Sequence, residues 1–134
     1  MIYSFNSTQT VASGANVLFL TDVVRTKSCL CGGWLNYIPN TGLFTITRGG
    51  LYEISFESDV TSTATGAIPF AIMVNGQEIT RSTYTVATAS VVGHVGNTAV
   101  VRVPCGTSLT ISISNQSANG VAATNSGIII KRIA

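Results

Sequence analysis

Residues 40–58 read NTGLFTITRGGLYEISFES, and the fold is decided by how this stretch is read. Phe44 and Ile46 alternate with Thr45 and Thr47. After Arg48-Gly49-Gly50, Tyr52, Ile54 and Phe56 alternate with Glu53, Ser55 and Glu57. A period of two puts successive side chains on opposite faces of an extended chain. Each segment therefore has an apolar face and a polar face, as in a strand that covers a core on one side only. The two glycines let the chain reverse or bulge between the strands at little steric cost.

The same pattern continues on both sides. Ile68, Phe70, Ile72 and Val74 alternate, as do Leu109, Ile111 and Ile113 against Thr110, Ser112 and Ser114. Asn75-Gly76 supplies the positive φ pair that a tight type I′ hairpin turn needs. Ile128-Ile129-Ile130 is apolar on both faces, which predicts a strand covered on both sides. Extended segments are expected near Asn16–Leu20, Gly33–Ile38, Leu43–Thr47, Gly50–Ser58, Ala67–Val74, Gln77–Thr85, Ala99–Val103, Leu109–Ser114 and Gly127–Ile133. Another falls within Thr88–Val95. No window sustains a helical period. Many short strands separated by Gly, Asn and Ser indicate an all-β sandwich or barrel. Residues 1–14 read as a polar N-terminal arm and 15–134 as one domain. Its expected core includes Phe44, Ile46, Tyr52, Ile54, Phe56, Phe70, Ile72 and Ile111.

Composition narrows the function. Charged residues make up 9% of the 134, against about 25% in an ordinary domain. Mean hydropathy is +0.43. The longest apolar run, Ile68–Val74, is far short of the roughly 20 residues that span a bilayer, so no membrane insertion is expected. Excess apolar surface on a small domain predicts burial against copies of itself. Net charge is +2 with no cluster of Lys and Arg, which argues against a nucleic-acid partner. The N-terminus lacks the basic start and apolar core of a secretory signal, so assembly into a particle is the expected route to any exterior location. Asn6-Ser7-Thr8 and Asn115-Gln116-Ser117 match the glycosylation pattern and read as chance in a chain rich in Ser, Thr and Asn.

No catalytic constellation is visible. Glu53 and Glu57 share a strand face but stand about 13 Å apart by strand rise, too far for a glycosidase pair. His94 is the single histidine, in the sequence VVGHVGN. No nucleophile elbow, phosphate loop, dinucleotide fingerprint or calcium loop is present. The expectation is a non-enzyme without metal or cofactor. The three cysteines, Cys29, Cys31 and Cys105, cannot all pair within the chain. A bridge from Cys105 to either of the other two stays open.

Four segments carry a family resemblance. TGLFTITRGGLYEISFES (41–58), AIMVNGQEI (71–79), AVVRVPCGTSLTISISN (99–115) and NSGIIIKRI (125–133) resemble, in order and spacing, elements of the tumour necrosis factor-like jelly-roll superfamily. That superfamily includes the globular head of complement component one q. Gly106-Thr107 departs from the family's usual Gly-Asp, Asn125 and Ser126 stand where aromatics are common, and no collagen-like stalk is present. The chain is similar to the small stand-alone versions of bacterial surfaces and bacteriophages. The resemblance implies a ten-strand, two-sheet sandwich that forms a homotrimer. It places Glu53, Ser55, Asn125 and Ile129 at the subunit interface. It also implies a structural or binding trimer on a bacteriophage virion, as a capsid decoration, head fibre or host-attachment module. The expected partners are other virion proteins or a host-surface ligand. The alternatives are a bacterial spore or cell-surface protein, a soluble receptor ligand, or a carbohydrate-binding jelly roll. For the last of these, Trp34, Tyr37 and Tyr84 are the aromatics open to stacking on sugar rings.

Overall fold

A computed structural model describes residues 1–25, 33–38 and 40–134, with 21–25 described by their backbone alone. Ten strands follow in order: β1 (Ile2–Val11), β2 (Thr21–Arg25), β3 (Leu35–Ile38), β4 (Leu43–Ile46), β5 (Gly50–Thr61), β6 (Gly66–Val74), β7 (Gln77–Val86), β8 (Gly93–Val103), β9 (Leu109–Asn115) and β10 (Val121–Arg132). They form two five-stranded antiparallel sheets. The front sheet runs β2-β1-β10-β5-β8 and the back sheet β3-β4-β9-β6-β7. This is a jelly-roll sandwich.

The alternation read from the sequence builds the core. Tyr52, Ile54, Phe56, Ile128 and Ile130 point inward from the front sheet. Phe44, Ile46, Phe70, Ile72 and Ile111 meet them from the back sheet, and all are at most 2% exposed. Phe56 lies between Phe19 and Phe70, with ring centroids 6.3 and 6.1 Å away. Aromatic pairs at such separations contribute beyond their buried area.

Two expectations need correction. Residues 1–14 are not an arm: β1 lies between β2 and β10, in unbroken register with β10 from Ile2↔Ile130 to Val11↔Val121. Its inward positions include Ser4 and Asn6, both buried, so apolar alternation did not mark it. The amide of Asn6 is satisfied by donating to the Leu18 carbonyl at 3.1 Å. Asn16–Leu20, in turn, is no ladder strand. Val17 and Phe19 do alternate into the core. However, the backbone there is satisfied piecemeal, by the Ile113 carbonyl, the Gln9 amide oxygen and the Tyr37 hydroxyl. A period of two reports extension; pairing needs a neighbour in register.

The glycines of the opening stretch are explained by close approach. A side chain at Gly49 would meet Cys105 at 3.1 Å. At Gly50, with φ +151°, it would meet the Arg132 guanidinium and the Ala134 carbonyl at 2.6 Å. The pair therefore lets the end of β10 and the β8–β9 loop close over the start of β5.

One buried polar residue organises the opposite end. The Asn115 side chain is fully buried. Its Nδ2 donates to the carbonyls of Val11 at 3.0 Å and Asn119 at 3.1 Å. Its Oδ1 accepts from the backbone and hydroxyl of Ser117 at 2.9 and 2.7 Å. Both sequon asparagines thus have their Nδ2 atoms turned inward and occupied.

Candidate functional site

β10 is the central strand of the front sheet, so its outward side chains occupy the middle of that face. Ile129 is one of them. Alternation buries Ile128 and Ile130 completely and leaves Ile129 37% exposed. Directly beside it in register stand Tyr3 on β1 and Ser55 on β5, and beyond Ser55 stands Thr98 on β8. Ser55 and Thr98 share a hydrogen bond of 3.1 Å. Two residues along, the next row runs Phe5, Gly127, Glu57 and Gly96. Gly127 has no side chain to raise this row, and the Tyr3 ring leans over it; an added Cβ would meet that ring at 3.2 Å. Tyr3, Phe5 and Ile129 thus form one apolar surface over the sheet centre, with Val100, 58% exposed, further across. Next to it Lys131 Nζ lies 3.2 Å from Glu53 Oε1.

Asn125 reaches the same face by a different device. β10 slips against β5 between Thr124 and Gly127, so Asn125 and Ser126 together oppose Ser58. Asn125 adopts φ +52°, a left-handed conformation that asparagine tolerates better than most residues. The bulge shifts the phase of the strand. Before it Val121 and Ala123 face the core; after it Ser126, Ile128 and Ile130 do. The Asn125 amide is 3.5 Å from Asp59 Oδ2, and His94 Nδ1 is 3.1 Å from Asp59 Oδ1. These bonds, that from His94 first, hold the Asp59 carboxyl below its ordinary acidity range. Asp59 and His94 lie on the open sheet with side chains 39% and 57% exposed, a setting that excludes no water from them.

No protein-family model and no curated protein sequence matches the chain. Solved structures do. The Eiger tumour necrosis factor of S. frugiperda superposes with a TM-score of 0.75 at 9% identity, covering 100% of this chain and 92% of that one. The globular domain of zebrafish complement 1qA gives 0.66 at 17% identity over 98% of each. Murine APRIL at pH 5.0 gives 0.61 at 14% identity over 97% and 96%. This fold is the tumour necrosis factor-like jelly roll. At these identities the likeness lies in the fold alone.

Within this tumour necrosis factor-like jelly roll, Glu53, Ser55, Asn125 and Ile129 share the outer face of the front sheet. The three aromatics are not gathered. Trp34 stacks on Tyr52 with centroids 5.2 Å apart. Tyr37 packs on Phe44 at 4.6 Å, and its hydroxyl accepts from the Phe19 amide at 3.1 Å. Tyr84 lies against Gly93, where a Cβ would collide with the ring. Tyr3 and Phe5, which complete the apolar face, lie in the segment whose composition reads as an arm. Their outward alternation within IYSF was the available signal. Cys105 is an exposed free thiol; Cys29 and Cys31 lie outside the described residues.

Proposed function

We propose that this chain is a non-enzymatic binding module that works as a homotrimer, assembled through the outer face of its front sheet. The observation that carries the proposal is the row Tyr3, Ile129, Ser55, Thr98, with Phe5 beside it. An antiparallel sheet open to water normally turns polar side chains outward. Here isoleucine, tyrosine and phenylalanine cover the centre of the face, the composition of a patch that partners bury. A threefold assembly is what the resemblance to the tumour necrosis factor-like superfamily implies, and the mean hydropathy of +0.43 supports it. Light scattering should give about 42 kDa, three times 13.9 kDa. Ile129→Asp places like charges together in a dry region and should dissociate the assembly, whereas Thr45→Asp on the back sheet should not. A monomer at micromolar concentration overturns the reading.

The finer proposal is a virion role, as a bacteriophage capsid decoration, head fibre or adhesion module. Its partners would be other virion proteins or a host-surface ligand; a bacterial spore or cell-surface location is the alternative. The end of the sandwich formed by residues 62–65, 87–92 and 116–120 carries no charged side chain and suits contact with neutral surfaces such as glycans. Mass spectrometry of purified particles from the source culture should find the chain in stoichiometric amount. Its confinement to the cell envelope would favour the alternative.

A further inference from the structure

The charges of the sandwich are unevenly placed. Glu53 pairs with Lys131, Asp59 with His94 and Glu78 with Arg81. Besides Glu57 on the outer face, the described side chains leave Arg48, Arg102 and Arg132, all exposed. No Asp or Glu side chain among the described residues pairs with any of them. All three belong to one end, where β5 starts and β8 and β10 finish.

That end holds a groove of about 360 Å³ lined by Arg102 and Arg132 together with Gly49, Gly50, Leu51, Cys105 and Ala134. Arg132 is held in place there. Its guanidinium lies over Gly50, in space that only a glycine leaves, and its Nη2 donates to the Gly49 carbonyl at 3.2 Å. The Tyr52 hydroxyl donates to the Arg48 carbonyl at 2.7 Å, which fixes the segment carrying the third arginine. A guanidinium offers five N–H donors in a planar fork. Arg132 uses one of these bonds and Arg102 makes none to the described residues, so most of the fork directions are free. Both arginines line the one groove, and planar forks of this kind suit small oxyanions.

We infer that this groove binds an oxyanion, a carboxylate, sulfate or phosphate group presented free or as the charged head of a larger ligand. Arg102 and Leu51 follow Val100 and Glu53 along the outer face of the front sheet, so the groove adjoins the face proposed for assembly at its arginine end.

The test is an NMR titration of the full ¹⁵N-labelled chain with sodium sulfate, against sodium chloride at equal ionic strength to remove simple screening. Saturable shifts are expected at the amides of Gly49, Gly50, Leu51 and Val103 with sulfate alone. Arg102→Gln should weaken binding about tenfold, the loss of one charge-assisted hydrogen bond. Arg81→Gln, which removes an arginine paired elsewhere, should change nothing. Glucuronic acid, whose carboxylate sits on a sugar ring, separates the sources. Tighter binding than sulfate indicates the head of a larger ligand, and equal or weaker binding indicates a free anion. Shifts spread over the whole surface, equal shifts with chloride, or unchanged affinity in Arg102→Gln overturn the inference.

Discussion

The hydroxyls of Ser58 and Ser126 share a hydrogen bond of 2.8 Å inside the sandwich, and both residues are buried. They meet because Asn125 is displaced outward beside them, and its conformation sustains the phase change along β10. Glycine adopts φ +52° freely, whereas a β-branched residue there is strained. Asn125→Gly should therefore keep most of the stability, while Asn125→Val should lose about 1–3 kcal/mol. Urea denaturation compares them; equal midpoints would contradict the left-handed assignment.

Phe56 sits at the junction of both sheets with no exposed surface to spare. Phe56→Ala removes a ring packed on two others and leaves a cavity, so a loss of about 3–5 kcal/mol is expected. A loss below about 1 kcal/mol in the same denaturation experiment would mean that the inward face of β5 is misassigned.

Asn115 ties β9, the end of β1 and the 116–120 loop together. Asn115→Ala would strip the buried bond to the Val11 carbonyl and the acceptor of the Ser117 N–H, at an expected cost of about 1–3 kcal/mol. Hydrogen exchange should rise locally at Ser117 before the rest of the protein loosens. Unchanged protection there would show the network to be dispensable.

Tyr52 makes stability depend on alkaline pH. Burial pushes its hydroxyl above the ordinary value of 10.0, although Arg132 and Arg48 pull the other way. A raised pKa means that the fold favours the neutral phenol. This contribution is fully present below pH 10 and is lost as pH rises through the folded-state value. Between pH 9 and 11 the wild type should lose stability more steeply than Tyr52→Phe, as read by denaturation midpoints at each pH. Parallel curves would remove Tyr52 from the account.

Where both sheets offered a clean apolar alternation, as in β4, β5, β6 and β9, the sequence was enough. β1 escaped because Ser4 and Asn6 occupy inward positions, and burial of a polar side chain depends on a hydrogen-bonding partner, here Leu18, that local pattern cannot show. The bulge in β10 escaped because Val121 and Ala123 are out of phase with Ile128 and Ile130, and only pairing with β5 shows where the extra residue goes. The outward position of Ile129 was legible, since three consecutive isoleucines leave the middle one no other side. The arginine groove was not legible: Arg102 and Arg132 lie far apart in the chain and are brought together by the β8-β5-β10 ladder.

Ile2 stands opposite Ile130 on adjacent strands, which run about 4.8 Å apart. The chain therefore enters and leaves the sandwich at one end, the end that carries the arginines. A few residues of linker would join the two ends without disturbing a strand. A circular permutant reopened at Asn75-Gly76 would preserve every ladder while moving both openings elsewhere on that end. For the natural arrangement, any passenger domain fused at either terminus would project from the arginine end and leave the uncharged loops at the opposite pole unobstructed.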